Sequence, residues 1–352
     1  MTVNSPIDNQ ILDHSDFYNS LPFFSPFEFY EKNIMEFIPD VDGLSEQLSE
    51  CSIILNSCRY LNQEDYKLIK HSDNFTTSLV GVNIDGVRTN FDKFKIFSRN
   101  LDKVMGYFIC ESNVTEYESQ IFFLEGYNKF VLDRIVKQDN NLKHKGSGLI
   151  TFVNHCFTNV KIYNDMCVSS LDFECLTLEL ITGKSKYLLI NVYRSPSGNF
   201  ETFLMHFENI LELANKRKEF KTYILGDLNV NLYNPNNWRC KEYLACIFSN
   251  GFLPLISRAT HFVSDRPTLI DHILCNDTSE LSSSLIFKAK ISHHFPVCLN
   301  LNLDLPDLIH ERSKPRVRIN EYLLKNFISE LKHIDNALNL DLSAEECFSE
   351  FF

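Results

Sequence analysis

Asp227 and Asn229 stand in the run Gly226-Asp-Leu-Asn229 directly after the apolar stretch Thr222-Tyr-Ile-Leu225, so a carboxylate and an amide leave the end of a buried strand together. The placement recurs. Asn83 follows Leu79-Val-Gly-Val82 with Asp85 two residues on, Glu111 follows Phe108-Ile-Cys110, and Tyr193 follows Ile190-Asn-Val192. Asp271 differs, because it lies between Leu269-Ile270 and Ile273-Leu274, where a carboxylate must be paired or open onto a mouth. His293 and His294 precede Phe295-Pro296. These residue types suit phosphodiester hydrolysis, which needs an activated water, a cation on the phosphate oxygens and stabilisation of the leaving oxygen. Glu111 and the Asn83/Asp85 pair offer hard oxygen donors of the kind magnesium prefers. A histidine oriented by a carboxylate can accept a proton or stabilise phosphate charge. Each residue also has a plainer reading: Glu111 as a solvated rim residue, Asp227 as the head of an Asx-turn, His293 and His294 as a surface pair. Their order along the chain is what points to chemistry.

The elements that must position them alternate. Ser78–Asn83 reads as a buried strand, Phe91, Phe94, Ile96, Phe97 and Leu101 follow at mostly helical spacing, and Tyr107–Cys110 reads as a second strand. Gly148–Val153, Phe173–Leu180 and Lys186–Tyr193 are further strands, the last two joined by a hairpin turn at Ile181-Thr-Gly-Lys184. Phe200, Phe203, Phe207, Ile210, Leu211 and Ala214 form one apolar helical stripe, which is core. A helix around Tyr243–Phe248 and apolar runs at Leu269–Leu274 and Val297–Leu303 complete the pattern. Helices interleaved with mixed strands predict an α/β sandwich of two mixed sheets packed face to face with helices outside, four layers in all.

Composition sets the frame. The chain has 352 residues, 44% of them hydrophobic and 30 of them Phe, enough for one large packed domain with flanking segments. The eleven cysteines show no Cys-x-x-Cys pair and no zinc spacing, which reads as reduced thiols in the cytoplasm or nucleus. The N-terminus lacks a secretory signal, and no stretch approaches the roughly 18 apolar residues of a membrane span. A formal charge of -12 argues against a nucleic-acid coat protein but not against a nuclease, which needs only a local basic rim. Residues 1–74 read as a leader, partly disordered or packed as an arm, around the aromatic stretch Leu21–Tyr30; an aromatic cluster of this density also suits a partner-binding segment. Residues 305–352 read as a charged linker followed by helical spacing from Tyr322 to Ile334.

Across residues 75–304 the motif order resembles the endonuclease/exonuclease/phosphatase superfamily, with its DNase I-like fold. Asn83-Ile-Asp-Gly-Val-Arg88 is similar to the first motif, and Glu111 falls where the metal-binding Glu follows the next strand. Gly226-Asp-Leu-Asn229, Thr268-Leu-Ile-Asp-His-Ile273 and Ser292-His-His-Phe-Pro296 match the later motifs. Tyr193-Arg-Ser-Pro196 and the Cys58-Arg-Tyr60 stretch resemble the non-LTR retrotransposon branch, and 305–352 resembles the start of the spacer before a reverse transcriptase, which this chain lacks.

The resemblance implies a DNA endonuclease that leaves a 3′-hydroxyl nick, using Mg2+ or Mn2+ and no small-molecule cofactor. By it, Glu111 binds metal with Asn83 and Asp85, and His294 pairs with Asp271 at the scissile phosphate. Asp227 handles the attacking water, Asn229 and Tyr193 contact phosphate, and Arg194, Asn231, Thr268 and Ser292 are the remaining substrate-binding candidates. His293 occupies the place of the family's Asp beside the catalytic His. Imidazole binds magnesium poorly and manganese readily, so manganese-favouring or reduced activity is the expectation. Two alternatives stand beside this reading: a degenerate or host-adopted copy that keeps the fold as a non-catalytic module, and a phosphatase of the same superfamily. Oligomeric state is not encoded in these motifs.

Overall fold

The structure, a computed structural model, describes residues 75–133, 147–183, 185–263 and 266–303, together with residues 18, 21–26, 52 and 54–66 of the N-terminal segment. The helical spacing at Tyr322–Ile334, the whole of 305–352 and the hairpin residue Lys184 lie outside the described residues.

Strand β1 (Arg59–Leu61) is followed by β2 (Thr77–Asn83), helix α1 (Val87–Arg99), β3 (Val104–Cys110), the short helix α2 (Glu116–Ser119), β4 (Tyr127–Leu132) and β5 (Leu149–Asn154). Next come β6 (Val160–Ile162), β7 (Val168–Ser169), β8 (Phe173–Thr182), β9 (Ser185–Arg194), α3 (Phe200–Lys216), β10 (Lys221–Asp227) and α4 (Trp238–Ser249). The chain then forms β11 (Leu253–Pro254), the hairpin β12 (His261–Val263) and β13 (Arg266–Thr268), β14 (Asp271–Cys275), β15 (Leu281–Phe287) and β16 (Val297–Leu301). Sheet 1 has the order β1-β15-β16-β2-β3-β5-β4, and sheet 2 the order β11-β14-β10-β9-β8-β6.

In each sheet one parallel pair, joined by a helix, is flanked on both sides by antiparallel neighbours: β2 with β3 across α1, and β9 with β10 across α3. A parallel pair requires such a crossover, and it leaves both strands ending at the same edge of the sheet. The antiparallel partners β14 and β16 begin at those edges, with Asp271 opposite Asp227 and Val297 opposite Gly81. Residues that end β2, β3, β9 and β10 and those that start β14 and β16 are therefore gathered together by topology.

The strands are nearly continuous apolar runs because both faces are buried. Along β2 and β3 the alternation, shifted by one residue at Met105, sends Leu79, Met105 and Phe108 into the core between the sheets, while Val80, Val82, Tyr107 and Ile109 pack with Phe91, Phe94 and Phe97 of α1. Sheet 2 is covered by α3, whose Phe203 and Phe207 pack edge-on against Phe173 of β8. Asn199 caps α3, its side chain accepting from the Thr202 amide at 2.8 Å. Between the sheets, buried Asn191 of β9 donates to the carbonyls of Ile109 and Ile150, both at 3.2 Å, and so ties sheet 2 to sheet 1.

Part of the leader belongs to this body. Ile54, Leu55 and Cys58 enter the core between the sheets, Leu61 and Tyr66 enter the core under α1, and β1 pairs in parallel with β15. Among the described residues no helix is long and apolar enough to cross a membrane.

Candidate active site

Gly226 sits where β9 and β10 run closest: a Cβ there would lie 1.8 Å from the Val192 carbonyl oxygen. Only glycine lets β10 keep its register with β9 and present Asp227 at its end, beside Tyr193. The next turn is closed by Asp227 itself, whose Oδ1 accepts the Asn229 amide at 2.9 Å. Arg194 holds that turn from outside, donating from Nε to the Leu228 carbonyl at 2.7 Å and from Nη2 to the Asn229 carbonyl at 2.8 Å. The Asn229 side chain returns a bond to the Arg194 carbonyl at 2.8 Å.

On the sheet 1 side, the Asn83 amide donates to Glu111 Oε1 and to Asp227 Oδ2, both at 2.8 Å. It is the link that joins carboxylates from the two sheets. Asp85 folds back, its amide bonding Asn83 Oδ1 at 3.1 Å. The Glu111 loop is tied by backbone: Gly86 N–H donates to the Glu111 carbonyl, Val87 N–H to the Ser112 carbonyl and Ser112 N–H to the Gly148 carbonyl. Asp85, Glu111, Asn113 and Asn229 all have φ between 47° and 58°. Left-handed backbone is costly for Glu in particular, and four such residues around one centre mark a strained, over-determined site.

His294 completes the centre. Its Nδ1 lies 2.9 Å from Asp271 Oδ2 and 3.1 Å from Oδ1, and its Nε2 lies 4.0 Å from Asp227 Oδ2. Thr260, on which no motif drew attention, donates its hydroxyl to Asp271 Oδ2 at 2.6 Å and accepts the Asp271 amide at 3.1 Å. Ser292 anchors the histidine loop by donating to the Asn83 carbonyl at 2.6 Å and accepting the His294 amide at 3.1 Å.

The remaining candidates are placed around this centre. Thr268 meets His261 Nδ1 at 3.2 Å, and the His261 ring lies 4.4 Å from that of His294. Asn231 Oδ1 accepts the Leu269 and Tyr233 amides, each at 3.1 Å. His293 is exposed and stands apart from the group of Asp227, Asp271 and His294, whose ligating atoms lie within 4.8 Å of one another. The next residue after Asp271, His272, points to the opposite face, as strand alternation requires, and meets the Tyr243 hydroxyl at 2.9 Å. It is a packing residue, held neutral by burial, its pKa pushed down to about 4.

Burial pulls the carboxyl groups apart in behaviour. Asp227 is 1% exposed, and desolvation, with the Asp271 charge opposite, pushes its pKa up to about 7. Asp271 is buried too, which alone would raise it, but His294 and the Thr260 hydroxyl hold it below the usual carboxylate range. His294 is pushed down by burial and, more strongly, up by Asp271, Asp227 and Glu111, reaching about 9. Glu111 is raised by burial. Tyr193 is raised far above the ordinary phenol range by burial and by Glu111 and Asp227, so it stays an O–H donor. Behind them Glu174 of β8, directly across from Tyr193 in the ladder, receives the Gly148 amide on its carboxylate at 2.9 Å. Burial takes its pKa up to about 8.

Glu111, half-buried, and the buried Asp227 and Asp271 thus meet at one centre, with His294 as the cation between them and the Arg194 guanidinium behind Asp227. The donors are hard oxygens and the negative charge is in surplus, so the residues fit a divalent cation of the magnesium or manganese kind.

No protein-family model matches the chain, and no curated protein matches it in sequence. Among solved structures, an AP endonuclease, LMAP from Leishmania major, superposes with a TM-score of 0.55 at 13% identity, over 74% of this chain and 99% of its own. The endonuclease domain of TRAS1, a telomere-specific non-LTR retrotransposon, superposes with a TM-score of 0.51 at 13% identity, over 65% of this chain and 99% of its own. With two mixed sheets face to face, helices outside and these two endonucleases as its structural neighbours, the chain has the DNase I-like fold of the endonuclease/exonuclease/phosphatase proteins.

Proposed function

We propose that the chain is a Mg2+- or Mn2+-dependent DNA endonuclease of retrotransposon origin that works in the nucleus or cytoplasm and leaves a 3′-hydroxyl nick. One observation carries the reading: the Asn83 amide joins Glu111 to Asp227 while His294, held by Asp271, faces Asp227 across 4.0 Å. That sets a carboxylate and an imidazolium 4.0 Å apart, close enough to act on the same substrate group. A purely structural site would not keep two carboxylates opposite each other on neighbouring strands, where like charges repel.

Both Asp271 oxygens and His294 Nδ1 are engaged with each other and with Thr260, so this pair handles protons and charge, and the cation belongs on Glu111 with Asn83 and Asp85 beside it. When bound, such an ion neutralises phosphate charge and lowers the pKa of water. Asp227, poised near neutrality, takes the proton of the attacking water. Water oxygen joins phosphorus, the bond from phosphorus to the 3′-oxygen breaks, and that oxygen takes up a proton to become the hydroxyl. His294, protonated at neutral pH, faces the developing charge on a phosphate oxygen, and Tyr193 donates from the sheet 2 side. Arg194 spends its donors on the Leu228, Ser195 and Asn229 carbonyls, and one side-chain atom each of Asn229 and Asn231 bonds backbone, so these residues shape the loop the substrate meets.

The test is nicking of supercoiled plasmid in Mg2+ and in Mn2+, with Glu111→Ala alongside, and thermal unfolding of both proteins with and without each ion. The expected result is nicking that Glu111→Ala abolishes and an ion-induced rise in melting temperature that it removes. A chain that binds the ion without nicking supports a retained, non-catalytic fold.

A further inference from the structure

The loop from β11 to β12 carries Thr260, and Thr260 is what orients the Asp271 side of the histidine pair. That loop is gripped along its length by the N-terminal segment. The Ser257 hydroxyl donates to the Leu55 carbonyl at 3.0 Å, and the Phe24 amide to the Ser257 carbonyl at 2.9 Å. Arg258 Nε donates to the Cys58 carbonyl and the Tyr60 hydroxyl to the Ala259 carbonyl, both at 2.9 Å. Four contacts thus fall on three consecutive residues, and the fourth residue is Thr260.

The far side of the same loop is bound to the histidine: the Thr260 carbonyl accepts the Phe295 amide at 2.7 Å. Phe295, the residue after His294, packs in an aromatic group with Tyr60, Tyr18 and Phe262, its ring 6.4 Å from Tyr60, 5.9 Å from Tyr18 and 4.8 Å from Phe262. Tyr60 therefore touches the site along two routes, by its hydroxyl through Ala259 and by its ring through Phe295. It is itself fixed in β1 by parallel pairing to Ile286 of β15, so a displacement of the loop meets sheet 1 rather than a free arm.

We infer that the N-terminal segment is a built-in clamp on the proton-handling pair, and that Tyr60 is a positioning residue acting through Thr260 and Phe295 on Asp271 and His294. The inference rests on the hydrolytic reading for its effect on turnover and on geometry alone for its effect on the imidazole. A shift of the order of an ångström at a reacting group costs up to about a hundredfold in rate, so loss of the ring is the severe change and loss of the hydroxyl the mild one.

The experiment uses the full chain with Tyr60→Phe, Tyr60→Leu, Thr260→Val and the Tyr60→Leu/Thr260→Val double variant. Plasmid nicking gives kcat and KM at saturating ion. The imidazole 15N resonances of His294, assigned by their loss in His294→Ala, report its setting whether or not the chain turns over. Expected are a kcat lowered about tenfold in Tyr60→Leu and about threefold in Tyr60→Phe with KM unchanged, and a further loss of only about threefold when Tyr60→Leu is added to Thr260→Val, because the hydroxyl route is then already broken while the ring route through Phe295 remains. The His294 resonances move in Tyr60→Leu and Thr260→Val alike. Unmoved resonances, or a Tyr60→Leu factor that is the same with and without Thr260→Val, overturn the clamp. Moved resonances in a chain that does not nick uphold the clamp and overturn the hydrolytic reading instead.

Discussion

Sheets 1 and 2 repeat one plan, a helix-joined parallel pair with antiparallel strands on both sides, yet sheet 1 delivers its ionisable groups on loops and sheet 2 delivers its own on strands. Glu111 and His294 lie one and three residues outside their strands, whereas Tyr193, Asp227 and Asp271 lie within theirs. The sheet 1 loop is held mainly by backbone bonds around the left-handed residues Gly86, Glu111 and Gly148; the sheet 2 turn is held by the Arg194 guanidinium. Strand register places Asp227 and Asp271 directly opposite one another, a rigid and electrostatically costly arrangement. Sheet 1 supplies what offsets it, the Asn83 amide and the His294 imidazolium. Neither sheet holds a site alone. The rigid sheet carries the charge conflict, the looped sheet carries its compensation, and the reactive arrangement exists only across the seam.

The hardest blow to that division is removal of the compensating cation. His294→Ala is expected to cut nicking about a thousandfold, the scale of a lost acid-base group. It also leaves two buried carboxylates facing each other, so the melting temperature falls. Because the folded-state pKa of His294 is raised from 6.5 to about 9, its stabilisation is fully present below pH 6.5 and is lost as pH rises through 9. The melting deficit of the variant should therefore be largest near pH 6 and close toward pH 9.5. A deficit that grows with pH would show that His294 does not offset the sheet 2 carboxylates.

Rigidity of sheet 2 is tested at Gly226. Gly226→Ala puts a methyl group 1.8 Å from the Val192 carbonyl, a clash with backbone that no rotamer relieves. Chemical denaturation should show a loss of about 3 kcal/mol or more, at the upper end of overpacking costs. A loss below about 1 kcal/mol would mean that β10 shifts easily and that strand placement is not what fixes Asp227.

How much of this could be read from residues alone differs between the same two regions. The parallel pairs and their helices were legible, since Leu79–Val82, Leu188–Val192 and the α3 stripe show buried-strand and helical periods directly. Strands β15 and β1 were not. Leu281-Ser-Ser-Ser-Leu285 hides a strand because its buried Ser283 and Ser284, on opposite faces, are satisfied by Asn300 and by the Ile54 carbonyl rather than by apolar contact, and β1 is three residues whose partner lies more than two hundred positions away. Within the site, groups at strand ends stood out by type and place. Thr260, Asn191 and Glu174 did not, because each is defined by what it meets across the fold: Asp271, the Ile109 carbonyl and the Gly148 amide. The positions of Arg194 and Asn229 were legible while the use of their donors was not, since only the folded turn shows that the guanidinium is spent on carbonyls.

That turn gives a smaller test of the contrast. Arg194→Lys keeps the charge but cannot span the Leu228, Asn229 and Ser195 carbonyls, and it loses the stacking near Phe200 and Phe203. A loss of about 2 kcal/mol in stability is expected from unpaired buried groups, read by urea denaturation. The matching sheet 1 loop is tied by backbone bonds, with the Asn113 side chain accepting the Ser147 amide at 3.2 Å.

The smallest effect is the most discriminating, because it has the opposite sign. Glu174 is 2% exposed and its folded pKa is pushed by burial from 4.5 up to about 8. Between those values the unfolded chain gives up this proton while the folded chain keeps it, so the native state loses stability as pH rises through that window. Glu174→Gln keeps an oxygen for the Gly148 amide and removes the ionisation. One unit of realised shift corresponds to about 1.4 kcal/mol, so the variant should gain on the order of 1 kcal/mol relative to the parent at pH 8.5 and little or nothing at pH 5, measured by urea denaturation at both. An advantage that is equal at the two pH values would mean that Glu174 is already ionised in the folded protein. The charge conflict would then reach two strands deeper into sheet 2 than Asp227 and Asp271, and the compensation supplied from sheet 1 would have to be correspondingly larger.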